Sequence, residues 1–232
     1  MGEALQISLA QSFEDALIYF YRKAYLKSYP IFLRAAIRGH TAAKKMTGFS
    51  CELGLGTPKS IPDAIHWYLD AGEDGDGDAL NNLALLYQEQ REYAKAQIFF
   101  HKSVATSNIA AQCNLGALYA DGIGVKRNYA KAVRWYSRAA SAGNVTAMFN
   151  MGYLNEMGLG TQRDPVGAAK WYYMAANRGS DEAEIYLSRL YHTEPDAVKF
   201  FHDMGQLLKP KVYAKEALIQ PQQQLQKADI KK

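Results

Sequence analysis

The sequence predicts an all-α protein, a right-handed α/α solenoid of stacked antiparallel helical hairpins, and three observations predict it. A unit is written twice between Ala110 and Gly179, so that Asn114, Leu115, Gly116, Gly122, Gly124, Ala132, Trp135, Tyr136, Ala139, Ala140 and Gly143 each find a counterpart 36 positions on. Self-similarity at a period of this size marks an array whose units bury their apolar faces only by stacking on neighbours. Within the unit, apolar and small residues from Ala111 to Tyr119 recur at three- and four-residue steps, which places them on one helix face. A Gly-x-Gly turn then separates that helix from a second one carrying Trp-Tyr and Ala-Ala.

Each part of the unit has a physical reason. Gly116 and Gly152 lie inside first helices, where glycine costs roughly 1 kcal/mol relative to alanine, so a close helix crossing is the expected compensation. Gly122-Ile123-Gly124 and Gly158-Leu159-Gly160 end the first helices, because glycine reaches the left-handed region without a side-chain clash. Asn128 and Asp164 are placed to accept free amides of the next helix, and Pro165 stands at the tolerated first position. The second helix carries Ala132, Trp135, Tyr136, Ala139 and Ala140 and stops at Gly143.

These motifs, Leu115-Gly116, Gly122-Ile123-Gly124-Val125, Lys131-Ala132, Trp135-Tyr136 and Ala139-Ala140 in one register, resemble the Sel-1-like repeat, a family related to tetratricopeptide repeats. The resemblance covers roughly residues 40 to 191 and thins toward both ends. It implies a non-catalytic scaffold or adaptor, whose first helices line a concave face that holds a protein or extended peptide segment.

Taken in order, residues 1–40 read as a degenerate helical cap. Ser12-Phe13-Glu14-Asp15 has the pattern of a helix cap, after which Ala16 to Ala24 reads as a second helix, with its first helix reduced to a segment around Ala4 to Ala10. Pro30 is expected to break the chain after Tyr29. Ile31, Phe32, Ala35, Ala36 and Gly39 then match Trp135 to Gly143 as a degenerate second helix.

Repeats fill residues 41–180. The unit from Thr41 to Gly75 has Gly48, Gly54-Leu55-Gly56, Ser60 as cap and Trp67-Tyr68. The next, Ala79 to Asn108, has a turn four residues shorter, without Gly-x-Gly. Residues 181–208 read as a capping hairpin: Asp196 to Phe201 echoes Lys131 to Tyr136, with a connection seven residues short. Residues 209–232 form a basic, Gln-rich tail with the composition of a flexible segment.

Charge and composition narrow the function. The tail's six lysines against Glu216 and Asp229 give the whole formal charge of +4, which leaves the body near neutral and argues against a nucleic-acid groove. No apolar run approaches the ~18 residues of a membrane span. The opening residues have neither the basic flank nor the apolar core of a secretory leader, so a cytoplasmic protein is expected. Cys51 and Cys113 fall in different units and read as free thiols of a reducing compartment.

Candidate chemistry is sparse. Asp74-Gly75-Asp76-Gly77-Asp78 resembles the start of a calcium loop, but Ala79 and Leu85 stand where the loop needs its glycine and its glutamate, so it reads as an inter-hairpin turn. The five histidines form no metal spacing, no Gly-x-Gly continues into the Lys-Ser/Thr of a phosphate loop, and no nucleophile can be paired with a base. No cofactor, metal or catalytic residue is therefore expected.

One set stands out. Asn82, Asn114 and Asn150 occupy the same place in three successive first helices, and a carboxamide both donates and accepts, so the row suits an extended peptide backbone. Lys45, Phe49, Leu85, Cys113, Phe149 and Tyr153 join it as groove candidates. The alternative, that the asparagines tie helices together within the stack, stands beside this one. Two further functions stand apart from the scaffold. The resemblance also implies an enzyme of the beta-lactamase-like type, through cysteine-rich bacterial members of the family linked to beta-lactam binding, but their cysteine pair per repeat is absent here. Helical-pair repeats that read RNA are disfavoured by the neutral body.

Overall fold

A computed structural model describes residues 2–197 and 199 of the chain. Among the described residues there are eleven helices and no strand: α1 (Gly2–Tyr21), α2 (Tyr25–Ile37), α3 (Thr41–Leu53), α4 (Ile61–Glu73), α5 (Gly77–Glu89), α6 (Tyr93–Ala105), α7 (Ile109–Asp121), α8 (Tyr129–Ser141), α9 (Val145–Met157), α10 (Pro165–Ala176) and α11 (Asp181–Thr193). Consecutive helices pack as hairpins, α1 on α2 through α9 on α10, and each hairpin stacks on the next. First helices α5, α7 and α9 also approach one another directly. This is the expected solenoid.

The register is strict. Trp67, Trp135 and Trp171 are each the seventh residue of their helix, and Tyr68, Tyr136 and Tyr172 the eighth. The tyrosines are 0%, 4% and 0% exposed and form the seam, while the tryptophans pack half-buried beside it. Phe100 in α6 and Phe32 in α2 take the tyrosine's place and are fully buried.

The helical glycines have the compensation their sequence position demanded. A methyl group built at Gly48, Gly116 or Gly152 would come within 2.9, 2.6 and 2.6 Å of the ring of Tyr68, Tyr136 and Tyr172, so the ring occupies the space a side chain would need. These three hairpins therefore lock on a glycine–tyrosine crossing at the middle of both helices.

Caps set the helix starts. His40, Asp76, Asn108, Asn144 and Ser180 each accept a hydrogen bond from the amide of the alanine at the third position of a first helix. Ser60, Asn128 and Asp164 do the same for second helices that follow a Gly-x-Gly turn. The acidic run from Asp74 to Asp78 is the inter-hairpin turn anticipated from register: Asp76 caps α5, and Asp74 and Asp78 accept from Lys44 and Lys45.

The first forty residues depart from expectation. Ser12 is not a cap, because α1 runs unbroken from Gly2 to Tyr21 and serves as the first helix of the opening hairpin. Residues 16–21 therefore belong to that first helix and not to a second one. Nor does Pro30 break the chain: it is the sixth residue of α2. That position is exposed on every second helix, so the carbonyl that proline leaves without a donor faces solvent and the cost is small. Ile31, Phe32, Ala35 and Ala36 do lie on a second helix, as expected.

Turns between hairpins use a left-handed residue, glycine at Gly39, Gly75, Gly143 and Gly179 with φ of +88° to +96°, and serine at Ser107 with φ +66°. Left-handed backbone strains an L residue by roughly 1 kcal/mol or more. Ser107→Gly is accordingly expected to raise stability by about 0.5 kcal/mol after allowing for the freer unfolded chain. A urea midpoint that falls in the variant would contradict this. Of the expected capping hairpin, α11 and the helical residues 195–197 and 199 are described. The remainder of that hairpin and the Gln-rich tail lie outside the described residues.

Candidate functional site

The first helices carry the candidate residues in one stripe. Asn82, Asn114 and Asn150 are each the sixth residue of α5, α7 and α9, and all three are half-buried. Lys45, Cys113 and Phe149 are fifth residues of α3, α7 and α9. Phe49, Leu85 and Tyr153 are ninth residues of α3, α5 and α9. Fifth, sixth and ninth positions share one face at helical spacing, so the chain does bring these side chains into a single row.

Their partners differ. The Asn114 amide donates to Asn81 Oδ1 at 2.8 Å, joining α7 to α5, and Asn81 is 7% exposed. Asn82 lies against the hydroxyl of buried Tyr68. Asn150 makes no hydrogen bond to another described residue, and its carboxamide is open. Two members of the row thus serve the stack, and the third has no such bond. From this, Asn114→Ala is expected to lower stability by about 1–2 kcal/mol, because it strands the buried Asn81 amide. Asn150→Ala should change it by less than about 0.5 kcal/mol. Urea denaturation of the two variants measures the difference, and equal losses would contradict the assignment.

Lys45 is held by Asp76 at 3.2 Å and Asp78 at 3.0 Å, and it fastens α3 to the start of α5. Phe49 packs toward Phe20, 6.1 Å between ring centres. Leu85 is 36% exposed. Phe149 and Tyr153 meet Tyr186 of α11 edge-on at 5.0 and 6.5 Å, and Arg189 lies 4.3 Å over the Tyr186 ring. Between Leu85 and Tyr153 the ninth position of α7 is Ala117, flanked along the helix by Ala110, Cys113 and Ala120. The row therefore runs large, large, small, large from α3 to α9, with its smallest side chain on α7.

Sequence reasoning missed a polar lock at two crossings. Tyr68 donates to Glu52 Oε2 at 2.6 Å, and Tyr172 donates to Glu156 Oε2 at 2.7 Å, while Glu156 Oε1 takes Arg189 at 2.6 Å. Burial, then the neighbouring carboxylate, pushes both phenols well above the usual tyrosine range. The signal was present: a glutamate stands two residues before the first turn glycine in the two units that have the lock, Glu52 and Glu156, and Ala120 replaces it in the third.

The arrangement offers surface and little reactivity. Burial pushes the Cys113 thiol up to about 11, so it stays protonated near neutral pH, and burial raises Cys51 as well. Both cysteines are free. Among the described residues no group of His, Cys, Asp and Glu is arranged to hold a metal ion, and no helix is long and apolar enough to cross a membrane.

Comparison with known proteins agrees with this geometry. A family model described as the Sel1 repeat matches residues 43–76, 109–144 and 145–180. The hairpin of α5 and α6, whose turn is short, falls between the matches. No curated protein matches the chain with significance. Among solved structures, a protective antigen present in uropathogenic Escherichia coli strains and displaying an SLR fold superposes with a TM-score of 0.71 at 29% identity, over 80% of this chain and 41% of its own. A Sel1 repeat protein from Oxalobacter formigenes gives 0.69 at 27% identity, over 83% and 80%. An immunity protein from Pseudomonas aeruginosa gives 0.54 at 18% identity over 82% and 80%, a likeness of fold alone. The chain spans about two fifths of the antigen's length and about four fifths of the Oxalobacter protein's.

Proposed function

Because the chain is built from Sel1 repeats, three of them at residues 43–76, 109–144 and 145–180, we propose that it is a non-catalytic scaffold holding a segment of a partner protein on its first-helix face. The observation that carries this reading is the open apolar row Leu85–Ala117–Tyr153, which recurs at one register position on helices that no other described element covers. A helical-repeat surface of this kind recognises an extended chain by a few side-chain pockets plus backbone hydrogen bonds. In this reading the small Ala117 between Leu85 and Tyr153 leaves room for a bulky apolar side chain of the partner. Asn150 bonds the partner's backbone, and Phe149 and Tyr153 form the far wall.

Asn82, Asn114, Lys45 and Phe49 contribute by holding the row in shape. A role as adaptor in the cytoplasm accords with two buried, unpaired thiols. The test is co-purification from the native cell with the full chain and with Ala117→Trp, which puts a bulky ring at the smallest place in the row, the fold of the variant being checked by its urea midpoint. Loss of specific partners in the variant supports the reading, and identical recovery removes it.

A further inference from the structure

The body's near-neutral charge is the sum of opposed surfaces, and one of them is uniformly positive. Helices α6, α8 and α10 carry Lys95, Lys102, Lys131, Arg134, Arg138 and Lys170, all exposed, and not one carboxylate. Only Lys95 has an ion-pair partner among the described residues, Glu92. The third and tenth residues of these second helices show how local the pattern is. They are Asp63 and Asp70 in α4, Lys95 and Lys102 in α6, and Lys131 and Arg138 in α8. One hairpin step reverses the sign on the same outward face.

Aromatic rings are set among the cations. Arg138 lies 5.0 Å over Trp135, and His101 meets that indole edge-on at 5.9 Å. Lys102 lies 5.1 Å over Phe99, and Lys131 lies 4.9 Å over Tyr119. Such contacts hold long side chains in place, which lowers the ordering cost when they meet an anion. Ile98, 54% exposed, sits between the α6 lysines. This is a strongly charged patch with fixed cations and an apolar centre.

We propose that the outer face of α6, α8 and α10 docks an acidic segment of a partner protein. The patch is bounded on one side: Asp63, Asp70 and Glu73 of α4, the second helix before α6, carry the opposite sign. A duplex, with a charge every ~1.7 Å, or a planar anionic membrane would extend beyond three helices and meet those carboxylates. A short carboxylate-rich peptide fits beside that boundary, its side chains bridging cations spaced about 10 Å along α6 and α8, with Lys170 of α10 beyond them. The surface is separate from the first-helix row, so it binds whether or not that row does.

The test is fluorescence anisotropy of the full chain with a labelled peptide of ten glutamates and a central tyrosine. Two comparisons run beside it: a duplex RNA of equal charge and vesicles containing phosphatidylserine. The peptide should bind with salt-sensitive affinity, and Arg134→Glu with Arg138→Glu should weaken it at least tenfold. The same charge change made elsewhere, Arg22→Glu with Lys59→Glu, should weaken it less than threefold. Because every variant keeps the lysine-rich tail, a tail-only effect would leave the two double variants equal, which overturns the proposal. So would RNA or vesicles binding more tightly than the peptide with the same dependence on Arg134 and Arg138, which would assign the face to that polyanion.

Discussion

Gly160→Ala is expected to destabilise the protein by more than about 3 kcal/mol, the largest effect of any single methyl group considered in this chain. Gly160 has φ +72°, a region that strains alanine by about 1–2 kcal/mol on its own. The added carbon would also lie 2.3 Å from the Tyr129 carbonyl carbon and 2.6 Å from the Ala130 amide nitrogen. These are backbone atoms at the start of the preceding second helix, so no rotamer change relieves the overlap and the hairpin must lift off its neighbour. Gly143→Ala supplies the control, since φ there is +96° but nothing lies within 4 Å of the new carbon. It should cost about 1 kcal/mol, and urea midpoints for the two variants measure the gap. Equal losses would show that backbone strain alone accounts for both.

Alkaline unfolding is the second large effect. Tyr68, Tyr136 and Tyr172 are almost wholly buried, and burial holds each phenol above its ordinary value near 10, helped at Tyr68 and Tyr172 by a carboxylate. Below pH 10 both folded and unfolded chains keep these protons, so the stabilisation is fully present. Above it the unfolded chain releases three protons that the folded chain retains, and stability should fall by roughly 4 kcal/mol per pH unit from these groups together. Urea midpoints at pH 9, 10 and 11 give the slope, and Tyr136→Phe should reduce it by about a third. A midpoint that stays level across that range would mean the phenols ionise in place.

The seam was legible in the sequence because it is enforced twice. Gly116 and Gly152 announce a close approach, and Tyr136 and Tyr172 supply the ring that makes it, so residues of both helices carry the same information. Helix starts were legible where a polar cap follows Gly-x-Gly. The opening hairpin was not: Pro30 reads as a breaker until its place on the outward face is known, and Ser12 reads as a cap until α1 is seen to continue through it.

The candidate row shows the same division. Register placed Asn82, Asn114 and Asn150 at one helical position, but register says nothing about partners. Asn81, one residue from the row, decides that Asn114 belongs to the stack. The basic outer face escaped a reading based on net charge because α4 and α11 cancel it. Position-by-position comparison of second helices reveals it, since Asp63 and Asp70 give way to Lys95 and Lys102.

The Gly-x-Gly turns also settle how tightly hairpins are joined. Gly56, Gly124 and Gly160 each seat against the first residue of an earlier second helix, Tyr25, Tyr93 and Tyr129, but the turn between α5 and α6 is too short to reach Ile61 in this way. At that step the hairpins share one buried cluster, Ala64, Tyr68 and Ala71 against Ala79, Leu83 and Ala84, and Lys45 ties across to Asp76 and Asp78 beside it. Dissolved ions attenuate the lysine contacts but not the apolar ones, so this joint, which lacks a seated glycine, keeps its hold in salt through the cluster alone.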